Sequence, residues 1–324
     1  MRSVLVYSWG EILGDGVWKL PCAAALRGAF PGARITWAAP YGSVYLGALK
    51  RVAAPLFDEI LTGPGMGREW TNLFGWQVFG GRRFDVVIDA QMILASTLTA
   101  RRAARHRFVS ATGGFLLSSA RPRGVWPQSV AQQFLKLIAL AAGRDVQPGT
   151  LDLVTPEAVA AAEALLPAGP RYVGFAPGAG VPNKRWPLDR VIAVARLMAD
   201  SGLVPVFFIG PAEREYLEPV RSALPEALFP EEAPSPVRGP DLCFALAPRL
   251  HAALANDSGI GHVLGLGGAP LVTLYKSTRM AAKFPTWSPR PVPIAADTFG
   301  AAGDIGAIPV RPVADALAAL AMAR

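Results

Sequence analysis

Strands alternating with helices through two successive halves predict an α/β protein of two Rossmann-like domains, with parallel sheets covered on both faces and facing a central cleft. Three observations carry that prediction. Hydrophobic residues make up 52% of the 324 residues, enough for two cores of ordinary domain size. Buried β-type runs such as Phe84-Asp-Val-Val-Ile-Asp89 recur between stretches of helical period. A turn-rich stretch over 148–170, with one short helix inside it, separates the halves.

The first half opens with a strand over 3–8, a Gly-containing loop and a helix from about 17 to 29, which Phe30-Pro-Gly stops. A strand over 34–38, helical material near 45–52 and a short strand over 58–61 follow, with 63–67 as turn. The strand 84–89, a helix over 94–104, the segment 106–110, the Gly113-Gly114 loop and an amphipathic helix over 129–142 complete this half. The second half restarts with strand 172–176 and helix 188–201, then a β-type run over 204–209 and a helix from 212 to about 224. The segment 242–246, a helix near 249–254, the run 259–266, a strand over 271–275 and a terminal helix over 313–323 end the pattern.

Composition narrows the function classes. Cys22 and Cys243 lie far apart and fit no metal or redox spacing, so a reducing compartment is the simpler expectation. The apolar stretch at the N-terminus suits a first strand better than a signal peptide, and no apolar run approaches the ~20 residues of a membrane span. A cytoplasmic protein is expected, with attachment to a membrane surface left open. The net charge of +8 is uneven. Between Asp89 and Asp145 there is no acidic residue, while Arg101, Arg102, Arg105, Arg107, Arg121, Arg123, Lys136 and Arg144 fall inside. Such a block suits an anionic glycolipid or membrane leaflet, or is a solvated face. No zinc finger, RNA-binding aromatic pair or helix-turn-helix signature supports nucleic acid.

Two loops carry the chemistry. Phe175-Ala-Pro-Gly-Ala-Gly-Val-Pro-Asn-Lys-Arg-Trp-Pro187 is a strand emptying into a turn that brings Lys184 and Arg185 to the start of a helix. Asn256-Asp-Ser-Gly-Ile-Gly-His262 also opens a helix. Backbone N–H groups and cations gathered in this way suit phosphate oxygens. Lys184 can meet a diphosphate as a point charge, whereas Arg185 can do the same or pair with Asp189. Asp257 and Ser258 either cap their helix or, with Gly259 and His262, face the same phosphates. Glu213, after Gly210-Pro-Ala, can accept from ribose hydroxyls or complement a helix dipole, with Glu215 as its alternative. In the first half Asp15 of Ile-Leu-Gly-Asp-Gly can act as a base toward a hydroxyl or cap the following helix, and Glu11 competes for the base role. The chain has no GxxxxGK[ST] loop, no usable GxGxxG after its first strand and no metal-ligand cluster, so no metal or cofactor is expected.

Taken together, these segments resemble the ADP-heptose:lipopolysaccharide heptosyltransferases, the family-9 glycosyltransferases of GT-B fold. Pro177-Gly-Ala-Gly-Val-Pro-Asn-Lys-Arg-Trp-Pro187 and Asn256-Asp-Ser-Gly-Ile-Gly-His262 carry most of the likeness. Gly14-Asp15, Asp85-Val-Val-Ile-Asp-Ala-Gln91 and Gly210-Pro-Ala-Glu213 add to it in the family's order. The resemblance implies an inverting, metal-independent transfer with Asp15 as general base. It further implies that Lys184 contacts the donor phosphates, Glu213 holds the donor ribose, and Asp257, Ser258, Gly259 and His262 sit at the diphosphate. The implied organisation is an acceptor-binding domain over 1–155, a linker region over 156–170 and a nucleotide-sugar-binding domain over 171–310. A terminal helix over 311–324 is expected to pack back on the first domain. Implied partners are a nucleotide-sugar donor, an anionic lipopolysaccharide-core acceptor and the inner membrane as a peripheral contact. The chain departs from the family pattern in a longer approach to Gly14-Asp15, and in Ala179 and Gly180, where relatives often place a hydroxyl. A nucleotide-sugar epimerase and a non-catalytic binder of nucleotide sugars or lipopolysaccharide are the competing readings.

Overall fold

The structure, a computed structural model, describes residues 2–63, 78–300 and 303–323. The chain divides into two compact units, Met1–Leu151 and Asp152–Arg324. The expected turn at 63–67 lies, apart from Gly63, outside the described residues.

The first unit runs β1 (Ser3–Tyr7), α1 (Leu13–Ala29), β2 (Arg34–Ala38), α2 (Lys50–Ala53), β3 (Glu59–Leu61), β4 (Phe84–Asp89), α3 (Leu94–Arg102), β5 (Ala104–Ser110), α4 (Thr112–Phe115) and α5 (Val130–Ala142). Its strands form a parallel sheet in the order β3-β2-β1-β4-β5. Val4, Leu5, Val6, Val86, Val87 and Ile88 are fully buried, as strands covered on both faces require. The chain leaves this unit by crossing α1 at Gly149, whose N–H donates to Pro21 O at 2.8 Å. A Cβ at 149 would stand 2.6 Å from Ala24, so only glycine allows the crossing.

The second unit runs α6 (Pro156–Leu165), β6 (Tyr172–Ala176), α7 (Leu188–Asp200), β7 (Val204–Phe207), α8 (Leu217–Ala223), α9 (Gly239–Leu246), β8 (Leu250–Asn256), α10 (Gly259–Leu266), β9 (Leu271–Tyr275), α11 (Thr278–Lys283), β10 (Pro291–Ala295) and α12 (Val310–Met322). The sheet is again parallel, in the order β10-β9-β8-β6-β7.

Three expectations need correction. The segment expected as helix near 249–254 is strand from Leu250, the start of β8. Its Leu-His-Ala-Ala-Leu-Ala sequence favours helix locally, but small alanines fit a strand paired on both edges and buried on both faces. β10 was missed because Pro291 and Pro293 argue against strand, yet they are tolerated at a sheet edge. The stretch over 156–170 is no simple linker, since α6 buries Ala158, Ala161 and Ala162 and packs on α9. The terminal helix buries its apolar face inside the second unit. Val313, Ala314, Leu317, Leu320 and Ala321 join the core formed with α7, β8 and β9.

Candidate active site

In each sheet the chain reverses direction beside its first strand. β6 lies between β7 and β8, and β1 lies between β2 and β4. Loops leaving the carboxyl ends of β6 and β8 therefore diverge and leave a crevice, as do those of β1 and β4. The sequence-predicted residues cluster at these two places.

In the second unit Asn256, buried at the end of β8, ties the two loops together. Its Nδ2 donates to Pro177 O at 2.7 Å, and its Oδ1 accepts from the Trp186 N–H at 3.2 Å. The buried Trp186 indole is pinned in turn by its Nε1–H to Ile308 O at 3.0 Å. Lys184, carried on a short 3₁₀ turn (Pro182–Lys184), points back across the crevice to Asp257. Its Nζ lies 2.7 Å from Asp257 Oδ2, and it keeps 30% side-chain exposure. Ser258 caps α10, its hydroxyl accepting from Gly261 N–H at 3.3 Å. His262, buried one turn into α10, holds Nε2 3.9 Å from Asp257 Oδ1. The helix start thus presents amide N–H groups beside a lysine, which is the composition of an anion site.

Glu213 approaches from the loop after β7. Its carboxylate stands over Gly178 so closely that a Cβ there would lie 2.5 Å from Glu213 Oε1. Burial raises the Glu213 carboxyl above the usual glutamate range, while the neighbouring Arg185 guanidinium opposes that rise. Arg185 does not pair with Asp189. Its Nε donates to Ala179 O at 3.1 Å, and Nη1 lies 3.7 Å from Glu215 Oε1 and 3.5 Å from Tyr216 Oη. Arg185 braces the loop, and Glu215 is its partner, exposed and turned toward it.

In the first unit Asp15 sits in the first turn of α1, because the helix begins at Leu13 and not near 17. The half-buried carboxylate accepts from the Trp18 indole N–H at 3.3 Å. Acidic residues are favoured in this turn by the helix dipole alone. Glu11 is committed to structure. Its buried carboxylate accepts from Ser8 Oγ at 2.5 Å, Lys19 Nζ at 3.0 Å and Trp37 Nε1 at 3.1 Å on one oxygen, and from Ser43 Oγ at 2.7 Å on the other. A carboxylate so saturated is poorly placed to take a substrate proton.

Sequence reasoning gave no role to Asn256, Gly178 or Asp89. Asp89 ends β4, fully buried, and accepts from Thr97 Oγ1 at 2.5 Å, Ser110 Oγ at 2.8 Å and Gln91 N–H at 3.0 Å. Burial raises its carboxyl above the ordinary aspartate range, with these hydrogen bonds opposing. The polar residues at 97, 110 and 112 inside apolar surroundings were the readable signal.

The arginine block gathers elsewhere. Arg107, Arg121, Arg123, Lys136 and Arg144 line an open concavity of about 580 Å³ at the C-terminal end of α5. Arg144 there reaches the carbonyls of Gly28 and Ala29 at the end of α1. That end of α1 adjoins the amino end of β2, so this basic surface lies at the opposite end of the sheet from Asp15. Among the described residues no helix is long and apolar enough to cross a membrane, and no three His, Cys, Asp or Glu side chains converge as metal ligands.

Two doubly wound units with polar loops at both switch points define a two-domain α/β architecture of parallel sheets. Two solved structures share it over the whole chain. One is described as ADP-heptose LPS heptosyltransferase II of E. coli, with TM-score 0.68, 19% identity, and coverage of 100% of this chain and 99% of that one. The other is a family-9 glycosyltransferase from Veillonella parvula, with TM-score 0.69, 20% identity, and coverage of 100% and 98%. These place the fold in the GT-B class. The family model for glycosyltransferase family 9 (heptosyltransferase) matches residues 75–303, and the chain belongs to that family. A curated relative, lipooligosaccharide heptosyltransferase 2 of Haemophilus influenzae, is 29% identical over 171 residues. The aligned stretch spans 44% of this chain and 46% of that relative, less than half of either.

Proposed function

We propose that the protein is an inverting, metal-independent glycosyltransferase that moves heptose from ADP-heptose to a lipopolysaccharide-core acceptor. The observation that carries this reading is the polar cluster at the β6–β8 switch point. There Lys184 meets Asp257 at the start of α10, and the Glu213 carboxylate stands over Gly178 of the loop that carries Lys184. The heptose donor and lipopolysaccharide acceptor follow from the chain's similarity to heptosyltransferases.

Lys184 has three N–H donors, so it can retain Asp257 while donating to a phosphate oxygen. Asp257 in turn keeps the ammonium aimed into the crevice. The Glu213 carboxylate accepts from the ribose hydroxyls, and Arg185 limits the cost of holding it ionised. In the reaction the acceptor hydroxyl oxygen bonds to the anomeric carbon as the bond from that carbon to the β-phosphate oxygen breaks. The hydroxyl proton passes to Asp15, and the electron pair leaves on ADP, where Lys184 and the α10 amides meet the charge. A single displacement of this kind inverts the anomeric carbon and needs no covalent nucleophile. The same reading puts the protein at the cytoplasmic face of the inner membrane, where a lipid-linked acceptor is presented.

Incubation with ADP-heptose and deacylated core oligosaccharide tests the proposal. Mass spectrometry should show an acceptor heavier by one heptose, NMR should show the inverted anomer, and ADP should appear in equal amount. Asp15→Asn should slow turnover by about 10²–10⁴-fold while leaving ADP binding intact. Epimerised donor with no acceptor consumed, or ADP-heptose bound without turnover, would replace this reading by one of its competitors.

A further inference from the structure

The approach to Asp15 forms a hydrogen-bonded surface feature with no part in the chemistry so far. Residues 8–12 leave β1 and run beside 41–44 leaving β2, joined by a parallel bridge between Glu11 and Ser43. Tyr41 N–H donates to Trp9 O at 3.1 Å, Glu11 N–H to Gly42 O at 3.1 Å and Val44 N–H to Glu11 O at 3.1 Å. Beneath this ladder lies the buried Glu11–Lys19 pair with Ser8, Trp37 and Ser43. On its surface the Trp9 and Tyr41 rings stack, with centroids 4.0 Å apart and an interplanar angle of 27°. Tyr41 remains 60% exposed.

The pair is fixed relative to Asp15. Tyr45 Oη donates to Gly16 O at 2.8 Å, and a Cβ at Gly16 would stand 2.3 Å from Val44. The strand exit that carries Tyr41 therefore packs on the turn of α1 that carries Asp15. A stacked aromatic pair with Tyr41 exposed and Trp9 half-buried, held over an ion cluster whose burial is itself costly, is preorganised to offer the Tyr41 ring to a ligand with an apolar face. The flat face of a pyranose is such a ligand. Its axial C–H groups carry partial positive charge and suit the negative face of an aromatic ring, while its equatorial hydroxyls stay free.

Resting on the transferase reading above, we propose that the Trp9–Tyr41 pair is a carbohydrate-stacking subsite for the acceptor saccharide, placing the hydroxyl-bearing ring beside Asp15. Tyr41 is a positioning residue here. It binds the sugar face and takes no part in proton transfer.

The test uses the full chain and deacylated lipopolysaccharide-core oligosaccharide as probe, without donor. Saturation-transfer NMR should show the strongest enhancement on the ring C–H protons of one sugar of the oligosaccharide with wild type, and loss of it with Tyr41→Ala. In turnover, Tyr41→Ala should raise the acceptor KM by about tenfold, with kcat and donor KM unmoved, and Tyr41→Phe should behave as wild type because the ring and not the hydroxyl is used. Matching thermal midpoints of the three proteins separate this from misfolding. Equal saturation transfer by wild type and Tyr41→Ala, or no binding of the oligosaccharide by wild type, overturns the subsite. Binding that depends on Tyr41 without any sugar transfer sinks the transferase reading and leaves the stacking site standing.

Discussion

Gly178→Ala places a methyl group where the Glu213 carboxylate now stands. The added carbon would lie 2.5 Å from Oε1, 2.7 Å from Cδ and 2.9 Å from Cγ. Ordinary contact begins at about 3.5 Å, so the carboxylate has to retreat by roughly 1 Å. That shift takes a hydrogen bond of normal length out of range. A bond to an ionised carboxylate contributes about 1.5–3 kcal/mol, so ADP affinity should fall by about 10–100-fold. Backbone strain does not enter, since Gly178 is outside the left-handed region. Gly180, two residues along the same loop, is the control. A Cβ there meets nothing within 4 Å, and Gly180→Ala should bind ADP as wild type does. Titration calorimetry with ADP reads both variants. Adding Glu213→Asp to Gly178→Ala, which shortens the carboxylate arm, should recover part of the loss. Unchanged affinity in Gly178→Ala, or an equal loss in Gly180→Ala, would refute the placement of Glu213 on the donor.

Further outcomes follow from the buried charges. Glu11→Gln leaves Lys19 buried without its counter-charge, and should destabilise the first unit by about 3–5 kcal/mol in urea unfolding. A loss below about 1 kcal/mol would contradict a structural role for Glu11. Lys184→Ala should remove most of the preference for ADP over AMP, because the lysine meets the phosphate that AMP lacks. Equal ADP-to-AMP ratios in wild type and variant would argue against that contact. Asp89 has its carboxyl pKa raised by burial, so the folded state holds the proton more tightly than the unfolded one. Its contribution to stability is full at low pH and fades as pH rises through the raised pKa. Asp89→Asn should flatten that part of the urea midpoint against pH, and an unaltered slope would rule the group out.

The strand–helix alternation was legible because buried parallel strands leave continuous apolar runs, and the Lys184 and Asp257 loops were legible because glycine, proline and polar residues mark them. What could not be read was anything set by neighbours across the sheet. Residues 250–256 carry helix-favouring alanine and leucine, and only pairing to β6 and β9 makes them strand. Glu11 and Asp15 look alike as loop carboxylates four residues apart. Their difference arises because Lys19, Trp37 and Ser43 come to one of them from α1, β2 and the loop after β2. Gly178 reads as turn punctuation until Glu213 is found standing over it. The arginine block was visible as charge, but its position at the far end of the sheet from Asp15 depends on how α1 and α5 end.

A crystal structure with ADP bound should show the diphosphate between Lys184 Nζ and the amides of Gly259 and Ile260, with the ribose hydroxyls on Glu213. ADP lodged elsewhere on the second unit, with Lys184 still turned only to Asp257, would contradict this donor site.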